Sequence, residues 1–171
     1  MMILAQDWAS EDFLAKPFNE ENANLGHDPS LPTNIRLFNL LENFFRISFA
    51  DTYATNAFVF IKPGKMSAGI PAVDFALSTI EYALPQIEII GPKLVICLGS
   101  KPYNALRRTQ KLPRKSLQTA LREKVFTVGT SAVVGVHHTG GLGMAQIGGQ
   151  QAQEKQWQEL ADYFSASLKN R

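Results

Sequence analysis

Four side chains able to do chemistry each follow, or lie within, a predicted strand. They are the carboxylate of Asp7, the amide of Asn56, the hydroxyl of Ser100 and the imidazole of His137. Ser100, His137 and Asp7 are the residue types of a hydrolytic triad, but the stretch around Ser100 lacks the second glycine of the nucleophile elbow. A simpler alternative is that Asp7 and Asn56 hydrogen-bond nearby backbone groups.

The sequence does not favour a metal or cofactor site. His137 and His138 are adjacent, so in an extended segment they point to opposite faces, and His27 is the only other histidine. Cys97 is the single cysteine, which excludes a disulfide within the chain and a four-cysteine iron–sulfur cluster. The glycine-rich stretches lack the spacing of nucleotide-binding loops. We therefore expect neither a metal ion nor a cofactor.

Predicted strands and helices alternate along the chain. Strands are predicted at 3–6, 52–61, 94–98, 125–128 and 132–137. Helices are predicted at 33–45, 72–90 and 152–168, and a further helix is predicted to follow Ser100. Pro85 is expected to kink the helix at 72–90. Residues 9–32 and 138–149 are predicted to be loops. This order favours a single α/β domain over residues 1–171, a three-layer α/β/α sandwich around a mainly parallel sheet of four to five strands. Ligands of such folds bind at the carboxyl ends of the strands.

Composition and charge narrow the class of protein. Hydrophobic residues make up 45% and charged residues 19% of the chain, as in ordinary globular proteins. No apolar run approaches the ~20 residues that span a bilayer, and no secretory signal is recognisable, so we expect a cytoplasmic protein, most simply a monomer. Residues 101–124 contain eight basic residues and one acidic residue. This excess suits either phosphate binding or a solvated helix face.

Five short segments together resemble the uracil-DNA glycosylase superfamily in order and spacing. They are ILAQDW (3–8), KPF (16–18), ATNAFVF (54–60), PKLVICLGSKPYNAL (92–106) and VGVHHTGG (134–141). The first is similar to the family's Gly-Gln-Asp-Pro-Tyr motif, and the last occupies the place of its His-Pro-Ser motif. The resemblance covers residues 3 to about 145 and implies a glycosylase-like fold.

The resemblance also implies an activity, the cleavage of the N-glycosidic bond of uracil or another damaged base in DNA. Asp7 would stabilise the oxocarbenium-like sugar, and His137 would donate a hydrogen bond to the departing base. The base would be bound by Gln6, Trp8, Phe18 and Asn56, with Phe18 stacking and Asn56 reading the polar edge. DNA would contact Ser100, Lys101, His138, Thr139, Gly140, Gly141 and Leu142, the last as an apolar wedge.

Three departures from the family pattern leave the substrate open. Ala5 replaces a glycine, Trp8 replaces a proline, and His138-Thr139 replaces Pro-Ser. The substrate is then uracil, another deaminated or alkylated base, or a free nucleoside or nucleotide. The competing hypothesis is a non-catalytic protein of the same fold that binds nucleic acid or nucleotides.

Overall fold

The computed structural model describes residues 1–120 and 125–169, and side chains as far as residue 166. Within this part, five strands form one sheet: β1 (Met2–Asp7), β2 (Tyr53–Phe58), β3 (Leu94–Leu98), β4 (Phe126–Val128) and β5 (Ser131–Val136). Their order is β2-β1-β3-β5-β4, and only β4 is antiparallel to its neighbour. The predicted α/β class and mainly parallel sheet are therefore confirmed.

Helices cover both faces of this sheet. The helical segments are α1 (Glu11–Leu14), α2 (Glu20–Leu25), α3 (Pro32–Leu40) with a π-helical turn (Leu41–Phe45), a 3-10 turn (Phe49–Asp51), α4 (Ala72–Ser78) with a π-helical turn (Thr79–Ala83), α5 (Leu84–Ile90), α6 (Ser100–Thr109), α7 (Leu117–Ala120), α8 (Gly141–Ile147) and α9 (Gln150–Lys169). The helix predicted at 72–90 is continuous. Because Pro85 has no N–H to donate, the preceding turn widens into π geometry at the predicted kink.

Side chains alternate between two apolar clusters, one on each face. The first, here called the α6 face, contains Met2, Leu4, Val95, Cys97 and Val133 packed with side chains of α6 and α7. The second, the α9 face, contains Ile3, Ile96, Leu98, Val134 and Val136 packed with side chains of α3 and α9. Strand β3 is wholly apolar and buried, as expected of a parallel strand covered on both sides.

The two predicted loops were wrong in part, because both contain short helices. Asn19 caps α2 by accepting a hydrogen bond from the Asn22 N–H at 2.9 Å, and Gly26 ends that helix with φ +71°. In the second loop, α8 runs from Gly141 to Ile147. The predicted cap at Thr33 or Asn34 was also wrong, since α3 begins at Pro32, whose fixed φ suits a first helical position.

The strand order places one crevice at the carboxyl edge of the sheet. Chain direction along the sheet reverses between β1 and β3, and ligands of open α/β sheets bind at such a switch point. Asp7 ends β1, Ser100 begins α6 directly after β3, and His137 follows β5. Among the described residues, no helix is long and apolar enough to cross a membrane.

Candidate functional site

Asp7, Asn56 and His138 lie on the α9 face at the carboxyl edge of the sheet. Asn56 pairs with Ala5 in the parallel register, so these two side chains share one face. Asp7 follows Ala5 by two residues and therefore points to the same face. Val136 points to the α9 face, and the same alternation takes His138, two residues later, to that side. The negative charge of Asp7 acts on the His138 imidazole, which supports this placement.

Asp7 is held by two neighbours. Its Oδ1 accepts a hydrogen bond from Gln6 Nε2 at 3.1 Å, and its Oδ2 forms an ion pair with the ammonium of Lys62. Apart from the Lys62 ammonium, no group in the described part of the chain donates a hydrogen bond to Oδ2. The side chains are 11% exposed for Asp7 and 2% for Lys62. Lys62 also donates to the Met66 carbonyl oxygen. The carboxylate is therefore largely buried beside a cation.

His138 is arranged as a neutral hydrogen-bond donor. Burial lowers the pKa of its imidazole, and the nearby Asp7 charge only partly opposes this effect. The Gly140 backbone N–H, which can only donate, lies 2.9 Å from His138 Nδ1. Nδ1 is therefore the acceptor, and in the neutral ring the proton is on Nε2.

By the same alternation His137 points away from the side of Asp7, and its ring lies between the C-terminal end of β5, α7 and α9. Its backbone N–H donates to Gln156 Oε1 at 3.0 Å, which turns the Gln156 amide nitrogen towards His137 Nδ1, 3.1 Å away. The buried ring lines a cavity of about 510 Å³ together with residues of α7 and α9. Burial lowers its pKa, and the Gln156 hydrogen bond opposes that shift. The predicted pairing of His137 with Asp7 is therefore not formed, and the alternation of side chains takes His138 to the side of Asp7 instead.

The loop that contains His138 is held from two helices. Arg36 Nη1 of α3 donates to the Thr139 carbonyl oxygen at 2.7 Å, and Gln153 Nε2 of α9 donates to the His138 carbonyl oxygen at 3.2 Å. Thr139 itself is buried. Sequence reasoning missed Arg36 and Lys62. The available signal was weak: Arg36 precedes the buried Leu40 by one helical turn, so it borders the apolar stripe of α3.

The predicted base-stacking and wedge residues are on the surface. Phe18, between α1 and α2, is 82% exposed, and Leu142 of α8 is 84% exposed. Trp8 is about half exposed. Gly140 precedes α8, and Gly141 begins it with open space around its α-carbon. Phe18, Trp8 and Leu142 are accessible to a ligand, whereas the Gly140 N–H already donates to His138 Nδ1.

The basic segment after β3 divides between surface and core. Ser100 and Lys101 are exposed at the start of α6. Arg107 is buried, donates from Nε to the Pro113 carbonyl oxygen at 2.8 Å and lies over the rings of Tyr103 and Phe126. It therefore supports the fold rather than a phosphate. The predicted contributions of residues 122 and 124 lie outside the described residues.

The triad alternative is not assembled. Ser100 and His137 line the same cleft, yet no hydrogen bond joins their side chains in residues 1–120 and 125–169. His137 Nδ1 is engaged by the Gln156 amide rather than by a carboxylate, and Asp7 lies on the other face. A serine nucleophile would lack both its base and its orienting acid.

The chain matches no protein-family model, and no curated protein is significantly similar to it. In the described part of the chain, no three His, Cys, Asp or Glu side chains gather as metal ligands would. Function has to be inferred from the fold and from the side chains at the carboxyl edge of the sheet.

Proposed function

We propose that this protein is a DNA glycosylase-like hydrolase that cleaves the N-glycosidic bond of uracil or another damaged base. One observation carries the proposal: Asp7, Asn56 and His138 share the α9 face at the switch point, with His138 fixed as an Nε2–H donor. The five collinear segments that resemble the uracil-DNA glycosylase superfamily support it. In this proposal His138, rather than its neighbour His137, serves as the donor.

The three side chains suit the two charges that develop during the reaction. As the C1′–N bond breaks, its electron pair stays on the base and positive charge develops on the sugar. Asp7 stabilises the sugar and orients a water molecule, whose oxygen adds to C1′ while the carboxylate takes its proton. His138 Nε2–H donates to a base oxygen, where negative charge accumulates. The Asn56 amide offers one donor and one acceptor to the base edge.

Base recognition also requires the base to leave the helix stack, or to be presented in a single strand. The exposed Phe18 offers a face for stacking, and the exposed Leu142 offers an apolar wedge. Phe18 lies in a segment that core packing does not restrain, since α1 and α2 contain no buried residue. DNA binding would order this segment over the site, whereas Leu142 is presented by α8, which packs against the His138 loop through Gly143.

A second function is favoured by the ion pair at Asp7. Because Lys62 already neutralises the carboxylate, the site has less negative potential to stabilise a cationic sugar. A non-catalytic protein that binds nucleic acid or nucleotides on the same fold would tolerate this arrangement. The two functions differ in whether a base is released.

The test is base release under single-turnover conditions from single- and double-stranded oligonucleotides that contain uracil, hypoxanthine or xanthine. Asp7→Asn and His138→Ala should each lower the rate by about 10²–10³-fold, the usual cost of removing one transition-state contact. His137→Ala is the matched control, and its rate should stay within about tenfold of the unmodified protein. Circular dichroism confirms that each variant is folded.

Two results would decide against parts of this proposal. Absence of abasic sites on every oligonucleotide, with DNA binding intact, would select the non-catalytic function. Equal losses in the His137 and His138 variants would refute the assignment of the donor to His138.

A further inference from the structure

Lys62 is an unusual residue for its position because its charged side chain is almost completely buried. Lysine is rarely buried unless it is paired, and removing an ammonium from water costs several kcal/mol. Here the ammonium contacts Asp7 Oδ2 and the Met66 carbonyl oxygen. The cost of burial is thus offset by one carboxylate and one backbone acceptor.

The backbone around Lys62 is fixed relative to the segment that follows Asp7. The Lys62 N–H donates to the Ala9 carbonyl oxygen at 3.0 Å, and the Glu11 N–H donates to the Lys62 carbonyl oxygen at 3.0 Å. These bonds form a parallel bridge between Ser10 and Lys62, beyond the end of the β1–β2 ladder. The lysine and the aspartate are therefore anchored to each other through the main chain as well as through their charges.

Lys62 is the counter-charge of Asp7, because its other neighbours Gln6 and His138 do not carry a full positive charge. Gln6 is uncharged, and burial lowers the pKa of His138, so neither carries a full positive charge at neutral pH. Among the described residues, Lys62 is the only cation in ion-pair contact with Asp7. Without it, a carboxylate only 11% exposed would be a buried charge with no compensating partner, which is unfavourable.

We infer that Lys62 is the positioning residue of Asp7: its ammonium supplies the counter-charge of the buried carboxylate and holds Oδ2, so that Oδ1 is the oxygen presented to a substrate. The catalytic meaning of this inference rests on the proposed glycosylase function, whereas the charge pairing does not. The pair also has no net charge, so the site does not repel a DNA phosphate or an anionic departing base. An unpaired buried carboxylate would repel both.

The experiment compares Lys62→Met, Lys62→Arg and the control Lys65→Met, which removes an exposed lysine three residues away. The Asp7 carboxyl ¹³C resonance is titrated in each protein without any substrate, and base release is measured across the same pH range. In Lys62→Met, we expect the carboxyl titration and the acidic limb of the rate profile to move to higher pH than in the unmodified protein, because the counter-charge is lost. Lys62→Arg should restore most of the shift, and Lys65→Met should match the unmodified protein.

The outcomes separate this inference from the proposed function. A carboxyl titration that does not move in Lys62→Met would overturn the inference and leave the glycosylase proposal standing. If the carboxyl titration moves in Lys62→Met but the unmodified protein releases no base, the glycosylase function is refuted and the charge pairing is supported. A covalent adduct between Lys62 and abasic DNA, trapped by borohydride, would overturn the positioning role because it would make the lysine a nucleophile.

If Lys62→Met folds but is too unstable for the titration, its urea unfolding is compared with that of the double variant Asp7→Asn/Lys62→Met. Removing one partner of a buried ion pair leaves an uncompensated charge, which destabilises the folded protein. Removing both charges avoids this cost. The double variant should therefore unfold at a higher urea concentration than Lys62→Met alone. Equal or lower stability of the double variant would overturn the inference.

Discussion

Replacing Gly143 with alanine tests how α8 positions His138. Gly143 is buried in the first turn of α8, directly against the loop that contains the proposed donor. A Cβ at this position would lie 2.2 Å from the His138 carbonyl oxygen and 2.8 Å from the His138 Cβ. Both distances are too short for real contacts, and the first involves backbone, which cannot rotate away.

The size of the effect follows from that overlap. The His138 carbonyl would have to retreat by about 1.2 Å to reach the 3.4 Å of ordinary contact. The same carbonyl accepts from Gln153, and the ring is tied to the Gly140 N–H, so the imidazole must move with the backbone. Overpacking of this kind costs about 1–3 kcal/mol of stability. A misplacement of about 1 Å in a catalytic group costs on the order of 10²-fold in rate.

The assay combines urea unfolding with single-turnover base release from a uracil-containing oligonucleotide. Gly141→Ala is the control, because a Cβ there meets nothing within 4 Å in the same helix. Alanine favours helices over glycine by about 1 kcal/mol, so this control should be neutral or stabilising. Unfolding of Gly143→Ala at the same urea concentration as the unmodified protein would refute the reasoning, whatever the activity.

Two further predictions concern pH and the exposed side chains. Burial lowers the pKa of His137 and His138 below the ~6.5 of the unfolded chain, so the unfolded state binds more protons as the pH falls through that value. The free energy of unfolding, measured with urea at pH 7.5, 6.5 and 5.5, should fall by at most about 1.4 kcal/mol per pH unit for each histidine; a profile unchanged by replacing both with glutamine would contradict this. Phe18→Ala and Leu142→Ala should change stability by less than about 0.5 kcal/mol, because both side chains are exposed. Phe18→Ala should weaken binding of single-stranded DNA, measured by fluorescence anisotropy, by about 5- to 150-fold, and Leu142→Ala should weaken binding of duplex DNA in the same assay; unchanged binding in both would assign these residues to solvent.

The sheet was the most predictable part of the molecule, and the short helices were the least. Leu94–Leu98 was predicted with its observed bounds, because an uninterrupted apolar run between glycine- and proline-containing turns has few other solutions. Segments α1 and α2 contain no buried residue, so they leave no hydrophobic period in the sequence. Their local caps, such as Asn19, are the only sign of them.

The site was predictable where it depended on strand ends and unpredictable where it depended on distant contacts. Asp7 and Asn56 were found because both are polar residues on predicted strands. The choice between His137 and His138 depends on which face a residue takes, and counting alternate residues back to Val136 would have selected His138. Lys62 and Arg36 act through partners 55 and 103 residues away in the chain. No local pattern records such contacts.

The bridge between Ser10 and Lys62 makes chain length a determinant of this site. The last ladder pair joins Asp7 to Phe58, so two residues separate the ladder from the bridge on one chain segment and three on the other. Deleting one residue between Phe58 and Lys62 would shorten that segment by about 3.3 Å. Lys62 would then lose either its bridge to Ser10 or its contact with Asp7. The position of the Lys62 charge beside the Asp7 carboxylate therefore depends on the number of residues between Phe58 and Lys62. A deletion there would move this charge without changing any charged residue.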